Sequence, residues 1–194
     1  MSPEALHTLL ALCVVSAGVS VARAQIREKP LDPIEGEAGK DVIWVPTPAA
    51  LVEKMLDMAR VTPQDYVIDL GSGDGRNIIA AAKRGARAVG VEYNAKLIEV
   101  SQRIAAREGV DDRETFLQGD LFEADISQAT VLTLFLLPET LRRLTPKFLA
   151  LKPGTRIVTN RFGIDGWDAD EIGRIGGDSA SCCTALLYIV PSAV

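Results

Sequence analysis

Three acidic side chains fall where successive strands of this chain are expected to end: Asp69, Glu92 and Asp120. The first of them opens the stretch DLGSGDGR, which ends at Arg76 and carries three glycines and a further carboxylate, Asp74. A glycine-rich turn between a strand and a helix presents backbone N–H groups to a ligand. Two carboxylates beside a pyrophosphate would cost on the order of a kcal/mol each in repulsion. A ligand with ammonium and sulfonium charges would instead be attracted, and its own carboxylate could still use the glycine N–H groups.

S-adenosylmethionine carries these charges, and the other acids suit its adenosine half. Glu92 is positioned to accept hydrogen bonds from both ribose hydroxyls, and Asp120 could accept from the adenine amino group. A solvent-exposed loop carboxylate is the alternative for each acid, and a tight turn without a ligand is the alternative for the glycines. Three acids at three successive strand ends favour the common ligand. The predicted cofactor-binding residues from this pattern are Asp69, Gly71, Ser72, Gly73, Asp74, Gly75, Glu92, Asp120 and Leu121.

Alternating strands and helices are predicted to position these residues. The predicted strands are 65–70, 88–92, 114–118, 129–137 and 156–159, with a closing pair at 171–175 and 184–190. The predicted helices are 49–60, a helix after the turn that Gly85 stops, a helix from the cap Asn94 through 108, and 140–150. Thr47 is expected to be the N-cap of the first helix, with Pro48 at its first position. This order predicts an α/β fold: a Rossmann-like, doubly wound, mostly parallel seven-stranded sheet with helices on both faces.

The N-terminal segment differs in composition from the rest of the 194-residue chain. Residues 1–24 combine a short apolar run with the sequence Ala-Arg-Ala at 22–24, which is typical of a secretory signal. The segment predicts export or membrane association, and a mis-assigned start of a cytoplasmic protein is the alternative, because residues 1–8 contain no Lys or Arg. Residues 25–40 are predicted to form an extended lead-in, and residues 41–194 the cofactor-binding domain.

Charge and histidine content exclude several kinds of function. The net charge of −5 provides no general attraction for nucleic acid. His7 is the only histidine, and cleavage after Ala24 would remove it. Ser-His-Asp hydrolysis, Cys-His chemistry and His-ligated zinc are then excluded, and no metal site is expected. The pair Cys182-Cys183 is predicted to be small packed side chains of a late strand.

Over residues 41–190 the sequence resembles the class I S-adenosylmethionine-dependent methyltransferases, through the D-x-G-x-G-x-G core that starts at Asp69. Within the class it resembles a bacterial branch of one lysine methyltransferase family, whose eukaryotic members include the mitochondrial enzyme that methylates the ATP synthase c subunit. The stretches that carry this closer resemblance are 45–48, 69–76, 80–85, 161–162 and Trp167. The resemblance implies methyl transfer to a protein lysine. It also implies that Thr47 contacts the methionine moiety of the cofactor.

One departure concerns the methyl acceptor. Residues 134–139 lack the Asn/Asp-Pro-Pro-aromatic pattern of enzymes that methylate exocyclic amines of bases, which argues against nucleic acid. Phe135, Pro138 and Trp167 remain as candidate walls of an acceptor channel, with core packing as the alternative for each. Methyl transfer needs positioning and desolvation more than acid–base catalysis, so no catalytic residue is predicted. Glu139 is the ionisable group nearest the expected acceptor end.

Two other functions remain open at this point. A small-molecule methyltransferase is favoured by the compact chain, which has no obvious appended recognition domain. A cofactor-binding partner subunit without catalysis would have the same turn. The sequence leaves the oligomeric state undecided.

Overall fold

The computed structural model describes residues 44–176 and 183–192. The predicted signal-like segment, the lead-in and Cys182 lie outside the described residues. Cys183 directly precedes the last strand instead of lying within it. In the described part of the chain, no helix combines the length and the apolar character needed to cross a membrane.

Helices and strands alternate along the described chain as predicted. The helices are α1 Ala49–Met58, α2 Arg76–Lys83, α3 Ala95–Glu108 and α4 Pro138–Leu149. The strands are β1 Tyr66–Leu70, β2 Arg87–Glu92, β3 Glu114–Gln118, β4 Val131–Leu134, β5 Arg156–Asn160, β6 Glu171–Arg174 and β7 Thr184–Ile189. They form one sheet in the order β3-β2-β1-β4-β5-β7-β6. The first five strands are parallel, and β7 is antiparallel to both β5 and β6, which confirms the mostly parallel seven-stranded sheet.

Two hydrophobic cores cover the two faces of the sheet. One contains the apolar sides of α1 and α2, including Leu51, Met55 and Ile78. The other contains the inner side of α4, including Leu144 and Phe148. All four residues of β4 are buried, as expected for a central strand between two layers of helices. The prediction of helices on both faces is therefore confirmed.

Side chains on the α1–α2 face become more polar toward the carboxyl ends of the strands. Residues two apart in a strand point to the same face of the sheet. Every second pair of residues along two neighbouring strands therefore lies on the same face. The buried valines Val67 and Val131 are paired, and one step further Asp69 is paired with Thr133. The carboxyl edge of this face therefore carries the polar groups, next to the turn that follows β1.

Two predicted element boundaries were wrong. Thr47 is not the N-cap of α1: the cap is Pro48, without a side-chain hydrogen bond, and the Thr47 hydroxyl instead accepts from Asn160 Nδ2 at 3.1 Å. β4 ends at Leu134, because the apolar residues after it leave the sheet and form a cavity wall. The apolar run 129–137 thus combines a strand and a lining segment, which hydrophobicity alone does not separate.

Candidate active site

A cavity lies at the carboxyl edge of the sheet, over β1, β2 and β4. It is lined by the turn after β1, the end of β2, the loops after β3 and β4, and residues 44–47. The predicted cofactor residues that line it are Thr47, Asp69, Gly71, Ser72, Asp74, Glu92, Asp120 and Leu121. The topology therefore brings the acids of three separate strand ends to one cavity.

Gly73 and Gly75 belong to the turn, but their α-carbons face protein and not the cavity. A Cβ at Gly75 would lie 2.6 Å from Phe116 Cζ, and a Cβ at Gly73 would lie 2.2 Å from Trp44 Nε1. Both glycines have positive φ, of 79° and 57° respectively. Their role in this structure is to let the turn pass under Trp44 and over β3.

Asp69 is the buried carboxylate of the cavity. Its side chain is 3% exposed, and Asn77 Nδ2 donates to its Oδ2 at 2.9 Å. The pKa of Asp69 is raised to about 7, chiefly by burial and in smaller part by the nearby carboxylates of Glu92 and Asp74, against the hydrogen bond from Asn77. A cationic group next to Asp69 would offset both effects, because it favours the ionised carboxylate.

Glu92 is anchored by backbone hydrogen bonds at the end of β2. Its Oε2 accepts from Gly73 N at 2.9 Å, and its Oε1 accepts from Asn94 N at 2.8 Å. At 8% exposure it is buried, so the alternative of a solvated strand-end carboxylate is wrong. Each carboxylate oxygen has further lone pairs, which leaves acceptor capacity for ligand hydroxyls.

Asp74 is already paired with a cation of its own chain. Arg76 donates to its two carboxylate oxygens, from Nε at 2.8 Å and from NH2 at 2.5 Å. The third contact of this guanidinium, from NH1, is to the Thr47 carbonyl oxygen at 2.6 Å. The expectation that Asp74 adds an unmatched negative charge to the turn was therefore wrong, because Arg76 was not counted as its partner. Asp69 and Glu92 carry the charge of the cavity floor.

Asp120 and Leu121 lie in the loop after β3. Asp120 Oδ1 accepts from Phe122 N at 2.9 Å, and all three residues line the cavity. The guanidinium of Arg143 packs over the Phe122 ring at 3.6 Å. This arrangement holds an apolar side chain and a carboxylate next to each other, as a planar base with an exocyclic amino group would require.

Sequence reasoning missed Trp44, Asn77 and Asn160. Trp44 covers Gly73, Asn77 lies on α2 beside Asp69, and Asn160 ends β5 behind Thr47. Asn77 could have been considered, since it is a polar residue on the first turn of the helix that follows the predicted cofactor turn. For Trp44 and Asn160 no local signal exists, because their contacts lie far away along the chain.

Buried polar atoms without a hydrogen-bond partner gather at this edge of the sheet. Within residues 44–176 and 183–192 they are Ser72 Oγ, Asn77 Oδ1, Thr133 Oγ1 and Asn160 Oδ1. Such atoms are uncommon in folded proteins, since each costs about 1–3 kcal/mol. Ser72 and Asn77 line the cavity, and the other two lie in or at the end of the adjoining strands. A polar, cationic ligand fits this donor and acceptor set.

The predicted acceptor walls do not form one channel. Phe135 lines the cofactor cavity, whereas Pro138 and Trp167 line a second cavity on the other side of the β4–α4 connection. The Trp167 ring packs edge-on against Tyr188, with centroids 5.6 Å apart. Residues 135–138 thus separate two cavities, whereas the sequence analysis had expected a single acceptor channel.

Comparisons with known proteins identify the family of this chain. A family model described as the ANTKMT methyltransferase domain matches residues 69–171. A protein-lysine N-methyltransferase of Saccharolobus islandicus is 43% identical over 152 residues, covering 77% of this chain and 94% of that protein. The lysine N-methyltransferase of Homo sapiens that is named for the c subunit of ATP synthase is 34% identical over 137 residues, which are 70% of this chain and 58% of the human one.

A solved structure is similar over almost its whole length. The crystal structure described as an RNA methyltransferase from Salinibacter ruber in complex with S-adenosyl-L-homocysteine has a TM-score of 0.72 and 42% identity, and covers 77% of this chain and 96% of that one. Its ligand is the demethylated product of S-adenosylmethionine. The predicted fold and the predicted cofactor, S-adenosyl-L-methionine, are thereby confirmed.

Proposed function

This chain belongs to the family of ANTKMT methyltransferase domains and is an S-adenosylmethionine-dependent methyltransferase, and we propose that its acceptor is the side-chain amine of a lysine in a protein. The observation that carries the proposal is the 43% identity to a protein-lysine N-methyltransferase, of which this chain covers 94%. The chain spans only 58% of the human ATP synthase lysine methyltransferase, so the particular substrate of that enzyme is not carried over.

RNA is the second candidate acceptor, because a structure 42% identical to this chain is described as an RNA methyltransferase. The net charge of −5 speaks against it, since RNA binding gains most of its affinity from basic side chains. The segment after β4 also lacks the Pro-Pro-aromatic pattern of base amine methylation. A protein acceptor is therefore favoured.

Positioning is the main work of the cofactor residues. Bound S-adenosylmethionine supplies a methyl carbon activated by a sulfonium. Asp69, with Asn77 beside it, would hold the ammonium group, and Glu92 would hold the ribose hydroxyls. Asp120 and Leu121 would receive the adenine. The N–H groups of Gly71, Ser72, Gly73 and Gly75 already donate to acceptors within the protein, so they are not free to bind the cofactor's carboxylate as the sequence analysis expected.

Glu139, the ionisable group that the sequence analysis expected nearest the acceptor, is not placed to act as a base on it. Glu139 is 65% exposed and forms a salt bridge with Arg142, whose hydrogen bonds lower the pKa of this carboxyl below its ordinary value. It lines neither cavity. The apolar wall of Phe135, Leu136 and Leu137 offers another route, because desolvation lowers the pKa of a lysine amine and favours its neutral, nucleophilic form.

We propose further that residues 1–24 bring the chain to a membrane or export it, on the apolar run and the Ala-Arg-Ala ending alone. Fractionation of the C-terminally tagged full chain tests this. Recovery in the soluble cytosolic fraction at full length would support a mis-assigned start instead.

The acceptor can be identified with the full chain, radiolabelled S-adenosylmethionine and a cell lysate. Label in protein that is recovered as methyl-lysine after acid hydrolysis supports the proposal. A matched lysate whose lysines have been blocked by chemical acetylation should then take up no label.

Each remaining outcome selects another function. Label that ribonuclease releases would identify RNA as the acceptor, and label extracted with small molecules would identify a metabolite. Cofactor binding without any transfer would indicate a non-catalytic partner subunit. Any of these results would overturn the lysine proposal.

A further inference from the structure

Asn160 has a buried side-chain amide, and only the nitrogen of that amide has a hydrogen-bond partner among the described residues. It ends β5 and is 1% exposed. Its Nδ2 donates to Thr47 Oγ1 at 3.1 Å, while its Oδ1 has no partner among the described residues. A buried carbonyl oxygen without a donor destabilises the folded protein, so a donor from a ligand is the simplest physical reason for keeping an amide there.

The sheet register places this amide in line with the cofactor residues. Leu134 pairs with Thr159, so Asn160, the next residue of β5, lies one step beyond the end of β4. On the other side of the cavity Asp69 pairs with Gly90, and Glu92 lies one step further on the same face. Asn160 and Glu92 therefore occupy opposite ends of one row along the carboxyl edge.

The two ends of this row face different reactants: the cofactor lies at the Glu92 end and the acceptor would lie at the Asn160 end. If Glu92 holds the ribose, the adenosine lies over β2 and β3, and the methyl group faces the opposite side, toward β4 and β5. Asn160 is on that side, directly behind Thr47, which lines the cavity. The residue after it, Arg161, lines the second cavity. Asn160 itself lines neither cavity, but it contacts a lining residue of the first and precedes a lining residue of the second.

We propose that Asn160 Oδ1 accepts a hydrogen bond from the N–H of the acceptor amine and so directs its lone pair toward the methyl carbon. The proposal rests on the proposed lysine acceptor. A neutral amide suits this task better than a carboxylate. A carboxylate would stabilise the ammonium form, which has no lone pair for attack, whereas the amide holds the amine without adding charge. In the step, the nitrogen lone pair forms the new N–C bond and the S–C bond breaks with its electrons left on sulfur. The amine's proton leaves to solvent.

The methylation state of the acceptor gives a test with an internal control. A neutral lysine amine has two N–H bonds and a neutral monomethyl-lysine has one, but a neutral dimethyl-lysine has none. Asn160 can therefore assist the first two transfers and not the third. The probes are three pools of random-sequence peptides, each with a single lysine that is unmethylated, monomethylated or dimethylated.

With the full chain, Asn160→Ala should lower kcat/KM about three- to tenfold more for the first two pools than for the dimethylated pool, whose loss should match that of Thr47→Val because both variants remove the same Asn160–Thr47 hydrogen bond. Any loss of affinity for S-adenosylhomocysteine should likewise match that of Thr47→Val. An equal loss for all three pools would overturn the proposal and indicate a structural role. A loss of cofactor affinity alone would assign the amide to the cofactor.

Two further variants separate the amide's two contacts. Thr47→Val removes the same hydrogen bond from its other partner, and should affect all three pools to the same degree. Asn160→Asp keeps an acceptor but adds charge, so the pH–rate profile for the unmethylated pool should move to higher pH. An unmoved profile would count against contact with the amine. If the wild type methylates none of the pools, the lysine proposal itself fails, which is a different result from equal activity of wild type and Asn160→Ala.

Discussion

We expect cofactor affinity to depend on the ionisation of Asp69. Burial raises the pKa of this carboxyl to about 7, with Glu92 and Asp74 adding to the shift. If the ionised form pairs with the ammonium group of the ligand, each pH unit below that value should weaken binding up to about tenfold. Between about pH 7.5 and 5.5 the loss should therefore reach roughly thirtyfold. Asp69→Asn should bind more weakly at neutral pH and show almost no slope.

Calorimetric titration with S-adenosylhomocysteine is the assay. Below about pH 7.5 the α-ammonium group of the ligand stays mostly protonated, so the slope reports on the protein. Buffers with different ionisation enthalpies should show that the wild type releases a proton on binding near pH 6, whereas Asp69→Asn does not. A flat wild-type profile, or the same slope in Asp69→Asn, would refute the pairing of Asp69 with the ammonium.

The stability of the ligand-free protein provides the matched control. A carboxyl whose folded-state pKa is raised contributes stability that is fully present below its unfolded pKa, near 4, and is lost as pH rises through about 7. Ligand-free Asp69→Asn should therefore be more stable than the wild type at about pH 8, with the difference shrinking toward pH 4. Urea unfolding at several pH values measures this. A variant that binds poorly while being more stable has not lost affinity by unfolding.

Three further variants test the cavity. Gly73→Ala should weaken S-adenosylhomocysteine binding at least about tenfold in calorimetry, because its Cβ would lie 2.2 Å from Trp44 Nε1 at a φ of +57° and displace the indole; normal affinity would show that this cover is irrelevant. Glu92→Ala should lower affinity about ten- to several-hundredfold and also cost about 1–3 kcal/mol of unfolding free energy, since Gly73 N and Asn94 N lose their acceptor. An analogue without ribose hydroxyls should bind Glu92→Ala and wild type with nearly equal affinity, and a matching loss for both ligands would reassign Glu92 to the fold. Arg76→Met should reduce affinity, because it removes the hydrogen bond from Arg76 to the Thr47 carbonyl and releases that segment. Trp44 fluorescence during the titration can report the release. Unchanged fluorescence and affinity would contradict a role of this hydrogen bond in binding.

Local signals account for the parts of the fold that the sequence predicted well. α3 begins and ends as expected because its caps are local: Asn94 accepts from Lys96 N at 3.0 Å, and Gly109 adopts a φ of +68°. β3 was predicted with its observed bounds, and the two strands of the closing pair β6–β7 were each predicted one residue too long. Because strands and helices alternate along the chain, a mostly parallel sheet was the expected arrangement.

Contacts distant along the chain account for what the sequence analysis missed. Thr47 has the residue type of an N-cap, but its hydroxyl is taken by Asn160, and its carbonyl by Arg76. Asp74 has the residue type of a cation ligand, but its pairing with Arg76 depends on a side-chain conformation that spacing does not specify. Residue type indicated that these positions matter, and only the tertiary structure showed which partner each one has.

The charges of the cavity explain how the protein can stay folded without a ligand and still bind a cation strongly. Asp74 is neutralised by Arg76, and that pair also fixes the segment that carries Thr47 over the cavity. Among the residues that the structure describes, Asp69 has only a neutral amide as its hydrogen-bond partner, so a proton can neutralise it near pH 7 when no ligand is present. A bound ammonium group would replace that proton. The burial that makes the ionised carboxylate costly in the empty site then strengthens its attraction to the ligand, because few water molecules remain to screen the pair.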